Sequence, residues 1–410
     1  MSGPLAGVLV VDLTRVLAGP WCTQILADLG AEVVKIERPG AGDDTRDWGP
    51  PFLAGPNGER GDAAYYLGCN RNKRSVELDI TKPFGQRAVH ELAARADIFV
   101  ENYKVGGLAR YGLDDATLRA ANPRLVYCSI TGFGQSGPYS HRPGYDFIIQ
   151  GIGGLMSVTG ERDDAPGGGP QKVGVAVADL MTGMYAAVGI LAAIAHQRAT
   201  GQGQHIDASL LDTQVAMLAN LNMNYLVSGK VPGRMGNAHQ NIVPYQTFAT
   251  RDGHVIVAAG NDTQFASFSR AVGHPELSAD PRFARNSGRV ANRETLVPLL
   301  ERILAAQPTA HWLEALEAVG VPCGPINDVA QVWADPQVRH RGMLVELDHP
   351  LAGMLATVAS PLRLSETPVS YRSAPPVLGA DTQAVLAQRL GWNDREIAAL
   401  QAESAASAKP

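Results

Sequence analysis

The chain has 410 residues, 45% hydrophobic and 18% charged; this is too long for one ordinary core and too apolar for a disordered chain, so two or three folded domains are expected. Its formal net charge of -5 excludes a sequence-independent nucleic-acid binder, which needs a basic face to displace counterions. An anionic ligand must therefore find a locally basic pocket.

Cys22, Cys69, Cys128 and Cys323 stand far apart and form neither a CxxC nor a Cys/His spacing, so no metal site is expected. The opening MSGPLAGVLVVDLT lacks the basic and apolar regions of a secretory signal. Apolar runs are interrupted before the roughly 20 residues that a membrane span needs. The expectation is a cytoplasmic protein with no membrane or nucleic-acid partner.

In chain order, Val8 to Leu13 reads as a strand, about Pro20 to Leu29 as a helix and Glu32 to Glu37 as a strand, a βαβ unit. The pattern recurs with Ser75 to Asp79, a helix from about Pro83 to Arg95, Asp97 to Glu101, a short helix near Ala116, and Leu125 to Ser129. Such alternation predicts an α/β fold with a parallel sheet covered on both faces. Its ligand is expected in the loops after the strands' carboxyl ends. Two long apolar helices follow, about Leu180 to Ala199 and Ala208 to Val227. The composition shifts again near Gly233, giving this division: a large domain over 1–200, a linker helix over 201–232, a small domain over 233–325, and a return to the large domain over 326–410.

Asp179, in QKVGVAVADLMTGMYA, stands between a strand-like run and an apolar helix. It can cap that helix by accepting bonds from the first amides. The same place suits a nucleophile, because a partly desolvated carboxylate is more reactive than a hydrated one. Both roles stay open. A second group is basic: Arg38 after a strand, Lys73 and Arg74 in NRNKRS, Lys104 and Arg110 in ENYKVGGLARYG. Cations on separate loops suit a branched polyanion such as coenzyme A, and equally a solvated surface. Neither GxGxxG after the first strand nor GxxxxGK[ST] is present, so neither NAD nor ATP is indicated. His196, His205 and His239 are isolated, and HExxH and GxSxG are absent. Tyr145 and Asp146, in HRPGYDF, suit either ligand contact or helix capping.

Taken together, PLAGVLVVDLTRVLAGPWCTQILADLGAEVVKIERPG, NKRSVELDI, VENY with LARYG, RPGYDF, and GVAVADLMTGMYA followed by GQGQHIDASLLD resemble the class III CoA-transferase family. The likeness spans nearly the whole chain and points to the succinyl-CoA:dicarboxylate branch. It implies that Asp179 attacks a donor thioester, giving an aspartyl anhydride and then an aspartyl-CoA thioester. It implies CoA contacts from Arg38, Asn72, Lys73, Arg74, Asn102, Arg110, Tyr145 and Asp146. Coenzyme A is then a substrate, and no permanently bound cofactor is expected. The fold implied is a Rossmann-like large domain, a smaller α+β domain, and an interlocked ring-like homodimer.

Two departures bear on specificity. Leu17 stands where the formyl-CoA member has Gln, and GRMGNAHQNIVPYQTF replaces that member's run of glycines. Arg234, Asn237 and His239 are thereby expected to anchor a distal carboxylate of a dicarboxylic substrate. The alternatives are an α-methylacyl-CoA racemase and a non-catalytic CoA-binding module. The racemase needs a His where Tyr145 stands, and a phenol with a pKa of about 10 is a poor base at neutral pH. The binding module would have no need of Asp179.

Overall fold

The computed structural model describes residues 3–407. It divides into two compact units: one takes the chain up to Leu155, Val173–Met223 and everything from His340 onward; the other takes Met156–Lys172 and Asn224–Arg339.

The first unit is built on a six-stranded sheet: β1 (Leu9–Asp12), β2 (Glu32–Glu37), β3 (Lys73–Glu77), β4 (Ile98–Glu101), β5 (Val126–Thr131) and β6 (His205–Ser209). The strands lie in the order β3-β2-β1-β4-β5-β6, all pairs parallel. The central strands β1, β4 and β5 carry largely apolar runs because both faces are covered. Side chains alternate between two cores. Val10, Val33, Ile98, Val100 and Val126 pack with Leu26 of α1 (Ala18–Asp28) and Ile190 and Ile194 of a long helix. Val11, Val34, Phe99 and Tyr127 pack on the other face, with Leu92 of α2 (Pro83–Ala93) and with Trp392 and Leu400. The strand order reverses between β1 and β4, where a doubly wound sheet opens a crevice at its carboxyl end.

The stretch read as a single linker helix over 201–232 instead opens with β6, the edge strand, followed by helices Leu210–Met217 and Ala219–Ser228. Its alternation HIDAS is only partly buried, so the helical apolar pattern downstream masks it. The second unit also differs from the sequence division: it gains Met156–Lys172 and runs to Arg339. Its antiparallel strands Tyr245–Ala249, His254–Ala258 and Cys323–Gly324 carry a core of Phe248, Phe265, Phe268, Leu300 and Trp312.

The returning carboxyl-terminal segment is pinned beside β3. Asn72 Nδ2 donates to Asp28 Oδ1 and to the Ser370 carbonyl, both at 2.8 Å, while its Oδ1 accepts from the Arg372 amide at 2.6 Å. Arg71 is paired with Asp28 at 2.5 Å and donates to the Val358 carbonyl. Lys73 is fully buried; its ammonium donates to Asp12 Oδ2 at 3.2 Å, Asn70 Oδ1 at 2.9 Å and the Pro20 carbonyl at 3.0 Å. Removing one partner of such a pair strands the other in the interior. Lys73→Ala is therefore expected to lose about 3–5 kcal/mol of stability, read as a lower urea midpoint for the first unit.

Candidate active site

Asp179 lies in the first turn of the long helix α5 (Val177–Thr200), which follows α3 (Asp115–Ala121) and α4 (Asp146–Ile152) in the chain. The helix begins three residues before the sequence expectation, so Asp179 is inside the turn and does not cap it. The cap is Asp146. Its Oδ2 accepts from the amides of Ala178 at 2.8 Å and Asp179 at 3.2 Å. Its Oδ1 accepts from Gln150 Nε2 at 2.6 Å, and the buried Gln150 accepts in turn from the Val173 amide. Burial first, and then the neighbouring charge of Asp146, push the Asp179 carboxyl up to about 7. Tyr65, on the short helix Ala64–Leu67, is pushed up to about 12, first by burial and then by the charge of Asp179, so its hydroxyl stays a donor at neutral pH.

Asp179 opens into a cavity of about 390 Å³. The loop after β1 contributes Arg15, Val16 and Leu17, and α1 its first residue, Ala18; the loop after β4 contributes Asn102, Tyr103, Lys104 and Val105. Thr131 ends β5 and Gly132 follows it, and Arg142 and Tyr145 come from the segment before α4. Asn102 clamps the first of these loops at both main-chain atoms of Arg15, accepting from its amide at 3.0 Å and donating to its carbonyl at 2.7 Å. A second cavity of about 240 Å³ holds Arg38 with Ile36, Leu78 and Ile80. Arg15, Tyr103 and Arg110 line both.

Of the residues expected to contact CoA, Arg38, Asn102, Arg110 and Tyr145 face these cavities. Asn72, Lys73 and Arg74 do not line them. The first two are buried braces of the fold, and Arg74 is paired with Glu32 at 3.1 Å and Asp381 at 3.5 Å. Those side chains already have internal partners. Asp146 acts through its bonds to α5. Arg234, Asn237 and His239 belong to the second unit. Arg234 is paired with Asp163 and donates to the Glu161 carbonyl; His239 Nδ1 accepts from the Asn241 amide at 3.0 Å; Asn237 is exposed.

Sequence reasoning missed Arg15, Arg142 and Tyr65. The first two sit in loops without periodicity, although each lies in a motif quoted above: TRVLAGP and HRPGYDF. Arg142 is stacked over Tyr139 at 4.7 Å and Phe133 at 5.4 Å. Nothing local in AAYYLG distinguishes Tyr65 from a core aromatic.

The sequence model of the family described as CoA-transferase family III matches residues 5–382. The chain is 48% identical over 390 residues to the succinate–glutarate CoA-transferase of Agrobacterium fabrum, covering 94% of this chain and 95% of that one. It is 45% identical to the human succinyl-CoA:glutarate CoA-transferase, over 97% of this chain and 88% of the relative. Among solved structures, a CAIB/BAIF family protein from Brucella suis superposes with a TM-score of 0.83 at 50% identity, covering 95% of this chain and all of that one.

The raised carboxyl has a consequence for stability. From its ordinary 3.8 to about 7 in the fold, proton binding to Asp179 favours the folded state below pH 4, and that contribution is lost as pH rises through 7. Asp179→Asn, uncharged throughout, is expected to exceed the parent in stability at pH 8 by at most about 4 kcal/mol. The two should converge below pH 4 in thermal unfolding scans.

Proposed function

This chain belongs to CoA-transferase family III, and we propose that it carries coenzyme A from succinyl-CoA to a dicarboxylic acid such as glutarate, with Asp179 as the acylated residue. The observation that carries this reading is a carboxylate raised to about 7 in the wall of a cavity whose other charged residues, Arg15, Lys104, Arg110 and Arg142, are cationic. The named activities of the Agrobacterium and human relatives support the choice of acids.

In the proposed sequence an Asp179 oxygen attacks the thioester carbonyl, the C–S bond breaks, and the thiolate leaves with the electron pair. The thiolate then attacks the aspartyl carbonyl of the resulting anhydride, releasing succinate and leaving an aspartyl-CoA thioester. The acceptor carboxylate opens this thioester to a second anhydride, and the thiolate attacks its acyl side, restoring Asp179. No proton enters or leaves the sum. A carboxylate suits this exchange because its anhydride is reopened readily from either side. Leu17 and Ala18 line the cavity, and their amides make no hydrogen bond among the described residues; they supply donors to the oxyanion of each tetrahedral state. Arg15 and Arg110, shared by the two cavities, fit the CoA diphosphate, and Arg38 with its apolar neighbours fits the adenosine end. Arg142, in the same wall as Asp179, is the cation for the distal carboxylate; Arg234, Asn237 and His239 remain the alternative anchor.

We further propose that the protein works as a homodimer in a Rossmann-like, interlocked arrangement, and in the cytoplasm. Met184, Tyr185, Val188 and Leu191 form an exposed apolar stripe along α5, which a second copy would cover.

Mixing the protein with succinyl-CoA and a panel of free acids, and following new thioesters by mass spectrometry, should show transfer to dicarboxylic acceptors. No transfer to any acid would sink the reading. The rate should rise with pH through about 7 and then level, as Asp179 ionises. In Asp146→Asn this rise should move to lower pH by roughly half a unit to one unit, since a like charge is removed. Arg142→Ala should raise the KM for the acceptor about tenfold or more with a smaller change in kcat; a larger effect from Arg234→Ala would assign the anchor to the second unit instead.

A further inference from the structure

Val16 has φ +71°, a left-handed conformation that a β-branched residue rarely adopts. The other non-glycine residues of positive φ among those described are Asn72 and Ala219, and neither is β-branched. Strain of this kind persists only where the surroundings over-determine it, and it concentrates at functional sites. Here the surroundings do so atom by atom. The Thr14 amide donates to Asp12 Oδ1 at 2.9 Å, and the Thr14 carbonyl accepts from Lys35 Nζ at 2.8 Å. Asn102 holds both main-chain atoms of Arg15. The Val16 amide donates to Asp43 Oδ1 at 3.2 Å. Asp43 is itself fixed by Lys35 at 2.9 Å, with both side chains fully buried, and by the Thr45 amide at 3.0 Å. Burial opposes its charge, but Lys35 and the Thr45 bonds outweigh this and hold Asp43 at about 2, ionised at every working pH.

We propose that Asp43 is a positioning residue for acyl transfer: through the buried pair with Lys35 it keeps Val16 left-handed, and so keeps Leu17 and Ala18 in the cavity wall that contains Asp179. The inference rests on the reading of Asp179 as the nucleophile. Asp43 stands in the wall of the second cavity, but its carboxylate is committed to Lys35, the Thr45 amide and the Val16 amide. It acts on the step in which negative charge develops on the acyl oxygen, so its effect belongs in kcat and not in acyl-CoA affinity.

The test compares Asp43→Asn with the double variant Asp43→Asn/Val16→Gly. Once the clamp is weakened Val16 can relax to negative φ, whereas glycine populates the left-handed region without help. Asp43→Asn is expected to lower kcat about tenfold or more with the KM for succinyl-CoA within about threefold of the parent. Adding Val16→Gly should recover part of the lost kcat. A folded Asp43→Asn with parental kcat overturns the inference, as does a double variant no faster than the single one. A purely structural Asp43 would lower only the unfolding midpoint, leaving kcat per folded molecule unmoved and nothing to rescue. Should Asp43→Asn fail to fold, Val16→Pro replaces it, since the ring fixes φ near -65°; a parental kcat in that variant also overturns the proposal. Hydroxylamine trapping in the parent separates the two levels. If the parent forms no Asp179 hydroxamate, the nucleophile reading fails; if it does and Asp43→Asn keeps its kcat, only the positioning role fails.

Discussion

Keeping one carboxylate partly out of water, yet not silenced by hydrogen bonds, sets the terms for the first unit. Free amides at a helix amino terminus would hold Asp179 ionised and weakly basic, as they do for an ordinary cap. Here the amides of Ala178 and Asp179 are directed to Asp146. The capping role and the reactive role proposed for Asp179, which one residue could have combined, are divided between two carboxylates. The cap then adds its own negative charge to the burial that already raises Asp179. Gln150 completes the arrangement by holding the other oxygen of Asp146, so the cap cannot turn away from the helix it terminates.

The basic residues are sorted by the same logic. Lys35, Lys73, Arg46 and Arg71 are buried, each against a buried acid, and they fix the loops after β1 and before β3. Arg15, whose guanidinium also pairs with Asp44 at 2.7 Å, faces the cavities together with Lys104, Arg110 and Arg142. An acidic chain thereby presents four cations around Asp179 in the first cavity, while its buried cations are neutralised pair by pair. Such buried pairs are weak sources of net stability, but their geometry is unforgiving once one partner is lost.

The parallel sheet was legible in the sequence because β1, β2, β4 and β5 carry short runs of β-branched and aromatic residues, and five of the six strands were anticipated to within about three residues at either end. β6 escaped because it is a half-exposed edge strand beside strongly helical sequence. The motif NRNKRS illustrates a different limit. Asn72 turns inward because it sits at φ +62°, and Lys73 because of its place in β3 opposite Val33; neither the turn nor the register is visible in six letters. The role of Asp179 depended on the first residue of α5, and a shift of three residues separates a cap from a side chain presented to a cavity. Arg15 and Arg142 lacked any periodic signal, since loop residues acquire their neighbours only when distant strands come together.

The two cavities also give the proposed ligand a direction. Arg38 lines one, Asp179 the other, and Arg15 and Arg110 lie in both walls. A long ligand with phosphates midway and an acyl group at one end satisfies all four positions in one orientation, with its thioester toward Asp179. That orientation matters because an aspartyl anhydride is open to water as well as to a thiolate. Leu17, Ile130 and Leu210 add apolar surface to the cavity that holds the carboxylate. Excluding water there preserves the thioester energy that transfer, unlike hydrolysis, must hand on.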